Sequence, residues 1–209
     1  MYLHGTIRKY IDDASAGQPT PGGGSVAALA GALGVSMGCM AANFTIGKKK
    51  FRDVEPKVRE LLASLESARE QLLHLMDEDT RAYGQVDAAY QLPQNTDEEK
   101  RARQQAIQDA LKVAMEVPLR IMGLCRDVLG VLAQLVDIAN PNLISDVGVS
   151  AVLAEAALRA ARLNVDVNLR YLKDEALRAG TCREAEAMER AAAAHARAVM
   201  AKVQQALAR

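Results

Sequence analysis

Aromatic residues are scarce in this sequence. There is no tryptophan, and two phenylalanines and five tyrosines are spread over 209 residues. Little is therefore available to stack on nucleic-acid bases, and a core must be assembled from Ala, Leu, Val and Met. Excess charge of either sign is also missing, since 26 Lys and Arg balance 26 Asp and Glu. A nucleic-acid partner is thus not expected, although a local cluster of cations can still hold a small anion. The three cysteines, Cys39, Cys125 and Cys182, are far apart, form no CxxC pair and are odd in number, which argues against a disulfide framework. His4, His74 and His195 are equally scattered and show no zinc-ligand spacing. The chain does not open on the basic, apolar and small-residue pattern of a secretory leader, so a cytoplasmic location is expected. Sustained period-two alternation is absent, and no sheet is expected.

Strong helix formers fill the sequence, with punctuation between long periodic runs. A first helix is expected over Leu3 to Ala14, broken by the stretch Gly17 to Gly24 with its two prolines and four glycines. Ser25 is placed to cap the next helix, Val26 to Ile46. That helix is unusual, because no charged residue occurs between Ala14 and Gly47. A helix apolar on every side is buried in protein or in lipid. Ser36, Asn43 and Thr45, a predominance of Ala and Gly, and the lack of an aromatic belt favour a central soluble helix over a membrane span. A long third helix starts near Asp53–Pro56 and stops before Pro93. Thr96 and Glu99 form a capping box for the fourth, in which Pro118 is expected to kink or end the run. Asn140-Pro141-Asn142 stops the continuation. The fifth helix is read from Asp146 to Ala179, ending at Gly180, with a second capping box at Thr181 and Glu184 opening a last helix. The expected architecture is all-α, one domain over residues 1–209: a bundle of long, mostly antiparallel helices around the uncharged one. Helices of this length leave unsupported ends in a monomer, so a homodimer is expected.

Several residues depart from this pattern. In the third helix Val58, Leu65, Leu72, Asp79 and Val86 recur every seventh position, beside a companion row Leu61, Ala68, Leu75, Ala82 and Ala89. Asp79 occupies a core-facing place in this seam. A buried carboxylate is costly, so it is paired, protonated or used in chemistry. Asp77 and Glu78 point elsewhere and are expected in solvent. Gly22-Gly23-Gly24-Ser25 at a helix start exposes backbone N–H groups suited to an anion or a polar ring, or is simply a capped turn. Lys48-Lys49-Lys50 either complements a helix C-terminus or gathers carboxylates and phosphates. Asn164 and Asn168, one turn apart, put two amides on one helix face, suited to a heterocycle edge or to bonding between helices. Asp146 lies at the end of the Asn140–Asp146 loop. His195, on a stripe with Met188, Ala192 and Val199, reads as a core histidine rather than a catalyst.

Thr20-Pro21-Gly22-Gly23-Gly24-Ser25-Val26-Ala27-Ala28, followed by Asn43-Phe44-Thr45-Ile46-Gly47-Lys48-Lys49-Lys50-Phe51, resembles the cyclodeaminase/cyclohydrolase family of tetrahydrofolate enzymes. The resemblance continues through Asp79-Thr80-Arg81-Ala82-Tyr83, Leu92-Pro93, Val117-Pro118-Leu119, Ser145 to Val149 and Asn164 to Leu169, and so runs the length of the chain. It implies an all-helical dimer, a catalytic acid/base at Asp79, and a folate site using Gly22, Gly23, Gly24, Ser25 and Lys48, Lys49, Lys50. Asp146, Asn164 and Asn168 are candidates for pterin recognition or for supporting the site. The implied reaction is methenyltetrahydrofolate hydrolysis to 10-formyltetrahydrofolate, or alternatively formimidoyltetrahydrofolate cyclodeamination. It needs no metal and no cofactor beyond the folate. A non-catalytic helical dimer is the reading without chemistry.

Overall fold

The computed structural model describes residues 2–208. The uncharged helix packs against three other long helices but is not enclosed by them: one apolar stripe of it, Val26, Leu33 and Met40, stays exposed. The elements are α1 (Ile7–Ser15), α2 (Gly23–Asn43), α3 (Glu55–Tyr90), α4 (Asp97–Ile138), α5 (Ile144–Tyr171) and α6 (Glu175–Leu207), with single 3-10 turns at Lys49–Phe51 and Pro141–Leu143. No strand occurs among the described residues. α2 is long and apolar enough to cross a membrane, yet most of it is buried among other helices.

Glycines on α2 set the packing. A Cβ on Gly31 would meet Leu72 of α3, Cys125 of α4 and Ala157 of α5; one on Gly38 would meet Leu65, Leu132 and Ser150. The register therefore rises along α4 and falls along α3 and α5, so α2 runs parallel to α4 and antiparallel to the other two. α6 continues the alternation, with Arg162 of α5 bonded to Glu189 at 3.0 Å and Gly148 against Val203. Both rows of the third-helix seam are buried apart from Asp79, which is half-buried.

The helix boundaries bear out part of the sequence reading. The Thr96–Glu99 capping box is formed, and Asn140 stops α4 by accepting from Asn142 N–H. Four expectations are corrected. α1 begins at Ile7, capped by Thr6 rather than running from Leu3. α2 starts two residues before Ser25, with Gly22 in the capping position, and ends at Asn43. Pro118 does not end α4, which is continuous through it. The break expected at Gly180 falls instead at 172–174, where Gln108 of α4 satisfies both backbone groups. It accepts from Lys173 N–H at 2.7 Å and donates to the Tyr171 carbonyl at 3.1 Å. Asp174 caps α6, so Gly180 and Thr181 lie within that helix.

Candidate active site

Asp79 reaches from the middle of α3 to the first turn of α2. The first N–H groups of any helix lack intrahelical acceptors and carry partial positive charge. Ser25 N–H uses this, donating to Asp79 Oδ2 at 2.8 Å. The carboxylate fits only because residue 24 has no side chain: a Cβ there would lie 2.0 Å from Asp79 Oδ1. The Ser25 hydroxyl, fully buried, bonds to Tyr10 Oη at 2.9 Å, which ties α1 to the same turn. Tyr2 stacks edge-on against Tyr10 with ring centroids 5.1 Å apart. Burial pushes the Asp79 carboxyl above its ordinary range, and the Ser25 N–H opposes that shift. Ser25 thus serves through its backbone N–H and a buried hydroxyl, and not as the helix cap expected from its position.

Asp77 is corrected as well. It is 4% exposed, not solvated, and accepts from Tyr2 N–H at 2.7 Å and Leu3 N–H at 3.4 Å. Glu78 is partly exposed and pairs with Arg120 at 2.6 Å.

Opposite Asp79 stands the Asn164 and Asn168 pair. The Asn164 amide turns its nitrogen and oxygen edge toward Gly23, where a Cβ would lie 3.0 Å from each of those two atoms. Asn168 Nδ2 donates to the Asn164 and Ala114 carbonyls, each at 3.0 Å. These groups enclose a cavity of about 180 Å³ lined by Pro19, Gly22, Gly23, Asp79, Tyr83, Ala114, Asn164, Val167 and Asn168. Tyr83, one turn beyond Asp79, is a lining residue that helix periodicity alone does not mark; its signal in the sequence is its place at the close of the Asp79–Tyr83 motif.

Lys48, Lys49 and Lys50 are not brought to this pocket within one chain. They follow the far end of α2, about 30 Å away along the helix. There Lys48 and Lys49 line an open cleft with Arg52 and Arg59, while Lys50 sits over the Phe51 ring. Asp146 is also at that end. The Asn140 turn that precedes it is tied to α2's C-terminus by Asn140 N–H to Thr45 Oγ1 at 2.8 Å. Asn164 is about 27 Å further along α5. The expected site is therefore split, with Gly22 to Ser25, Asp79, Asn164 and Asn168 at one end and the lysines and Asp146 at the other.

The sequence profile of the formiminotransferase-cyclodeaminase family matches residues 6–187. The chain belongs to this family. Within it, the chain is 42% identical over 183 residues to a methenyltetrahydrofolate cyclohydrolase of Methylorubrum extorquens, covering 88% of each protein. It is 32% identical over 179 residues to the formimidoyltransferase-cyclodeaminase of Rattus norvegicus, covering 86% of this chain and 33% of the longer rat protein. In three dimensions it is similar to the formiminotetrahydrofolate cyclodeaminase of Thermotoga maritima, with a TM-score of 0.89, 30% identity and 98% of each chain covered. The formiminotransferase-cyclodeaminase family accordingly accounts for the all-helical architecture as well as the motifs.

Proposed function

We propose that the protein is a cytoplasmic methenyltetrahydrofolate cyclohydrolase in which Asp79 is the acid/base. The observation that carries this is the Asp79 carboxyl, held over the α2 N-terminus in a pocket floored by glycine backbone and walled by two amides. Water adds to the cationic methenyl carbon as Asp79 takes its proton. Asp79 then returns that proton to N5 as the carbon–N5 bond breaks. The new hydroxyl loses its proton to give the formyl group on N10, so one proton is released overall. A positioned general acid/base contributes on the order of 10²–10⁴-fold in rate. An ionised Asp79 also stabilises the cationic carbon. The folate itself carries the one-carbon unit, and these steps call on no metal or redox cofactor.

The second reading is formimidoyltetrahydrofolate cyclodeamination, favoured by the likeness to the Thermotoga maritima enzyme. N10 then attacks the carbon of the protonated formimino group, and the same carboxyl moves the N10 proton to the resulting amino nitrogen, which leaves as ammonia. The 42% identity to a cyclohydrolase of matching length favours the first. Purified protein should bleach the near-UV absorbance of methenyltetrahydrofolate. With the formimino substrate the same absorbance should not grow faster; if it does, the second reading replaces the first. No turnover of either would leave a non-catalytic helical dimer.

The pocket of about 180 Å³ is smaller than the clefts of roughly 300–1,000 Å³ that enclose whole ligands. It holds a ring and needs another wall for the remainder. An apolar face adjoins it. Leu33 of α2 is 55% exposed, Leu163 of α5 67% and Val167 60%, in line with exposed Val26, Met40, Val149 and Val152. A second copy laid antiparallel over this α2–α5 face covers it and brings that copy's Lys48, Lys49 and Lys50 toward the glycine turn, where they receive the folate's glutamate carboxylates. Charge reversal Lys49→Glu is expected to raise KM, most for polyglutamylated substrate; an unchanged KM removes that role. Leu33→Glu is expected to give a monomer by light scattering with weakened folate binding, and a variant that stays dimeric moves the interface elsewhere.

A further inference from the structure

Pro118 sits inside a continuous 42-residue helix, where proline costs about 3 kcal/mol relative to alanine. It has no N–H, so the carbonyl four residues earlier, that of Ala114, lacks its helical donor. That carbonyl is where Asn168 Nδ2 donates at 3.0 Å, and Ala114 itself lines the Asp79 pocket. The second Asn168 bond, to the Asn164 carbonyl at 3.0 Å, also ends on an acceptor. Carbonyl oxygens accept only, so the atom between them must be the amide nitrogen, and the ring-facing orientation of Asn168 is fixed by chemistry. Asn164 is fixed similarly, its Nδ2 donating to the Ala160 carbonyl at 2.9 Å. Among the described residues, neither amide oxygen receives a hydrogen bond, and both residues line the pocket.

We infer that Pro118 is a positioning residue for substrate recognition: by freeing the Ala114 carbonyl it holds the Asn168 amide with its oxygen available to the ligand. Together with Asn164, this gives the pocket wall opposite Asp79 an acceptor character. It selects a ring edge that presents N–H donors, as an amino-pyrimidinone does, and disfavours one that presents acceptors. The inference rests on the folate reading above for the identity of that ring, and it explains a proline that the fold alone would be better without.

The test compares the full-length chain with Pro118→Ala, Asn168→Ala and the double variant, measuring KM, kcat and Tm. Alanine at 118 restores a helical N–H that competes for the Ala114 carbonyl and draws it back along the axis. Pro118→Ala is expected to raise KM by about three- to tenfold, the size of one neutral hydrogen bond. Its Tm should rise, because alanine suits a helix interior. In the Asn168→Ala background the same change should have no further effect on KM, since the amide it acts through is gone. An unchanged KM in Pro118→Ala, or an effect of equal size with Asn168 removed, overturns the inference while leaving the function standing. A wild-type protein inert toward both folates removes the function, and this inference with it.

Discussion

Asp79→Asn is expected to abolish turnover, with kcat falling by about 10²–10⁴-fold, while the protein becomes more stable at neutral pH. The two effects have opposite signs for one reason. Burial raises the carboxyl's pKa in the folded chain, against a weaker opposing pull from Ser25 N–H. The folded state therefore binds this proton more tightly than the unfolded state. Stability from this group is greatest at acid pH and declines as pH rises from the ordinary aspartate pKa to the raised one; above that the destabilisation is fully expressed. Asparagine keeps an oxygen for Ser25 N–H and carries no charge, so it escapes the decline. Thermal melts of both proteins from pH 4 to 8 should show Asp79→Asn with the higher Tm at neutral pH and the difference closing in acid. Retained turnover, or a lower Tm for the variant across the whole range, would falsify the role given to this carboxyl. In the wild type the acid limb of kcat/KM should lie above the pH where an exposed aspartate titrates, because general-base attack needs the ionised form.

Gly24→Ala is the second large effect. The added Cβ would stand 2.0 Å from Asp79 Oδ1, 2.6 Å from its Cγ and 2.9 Å from Oδ2. The carboxylate is short and anchored mid-helix, so relief requires α2 and α3 to separate or Asp79 to swing away. A displacement of about 1 Å at a reacting group costs on the order of 10²-fold in rate. Alanine also favours helix over glycine by about 1 kcal/mol, but that gain is small beside the overlap. Turnover should drop accordingly and Tm should fall. Gly84→Ala is the control, since a Cβ there meets nothing within 4 Å on the exposed side of α3. It should raise stability by about 0.5–1 kcal/mol and leave turnover alone. If Gly24→Ala behaves like Gly84→Ala, the close approach of carboxylate to backbone has no part in catalysis.

Much of this site was legible because it breaks rules of periodicity. Asp79 stands out in a seam of apolar side chains, and the seam itself is buried as its spacing implies. The Asn164 and Asn168 spacing placed both amides on one face, and the structure puts both in the pocket. What escaped was set by contacts distant in sequence. Asp77 is drawn inward by the N–H groups of Tyr2 and Leu3, 75 and 74 residues away. The α5–α6 break has no glycine or proline and depends on Gln108 reaching across from α4. Pro118 leaves its helix whole because a side chain from α5 takes up the orphaned carbonyl. The separation of the lysines from Asp79 follows from α2, since the glycine turn that Asp79 meets lies at its start and the lysines come after its end.

The close approach of α2 to its neighbours has a practical consequence. Gly31 leaves just enough room for the Cys125 sulfur, and burial pushes that thiol up to about 12 and the Cys39 thiol up to about 11. Neither is available to an alkylating reagent while the bundle is closed, whereas Cys182 is partly accessible. In a chain without tryptophan fluorescence, Cys182→Ser leaves two thiols whose labelling rate becomes a clock for helix separation, read by mass spectrometry at any substrate concentration.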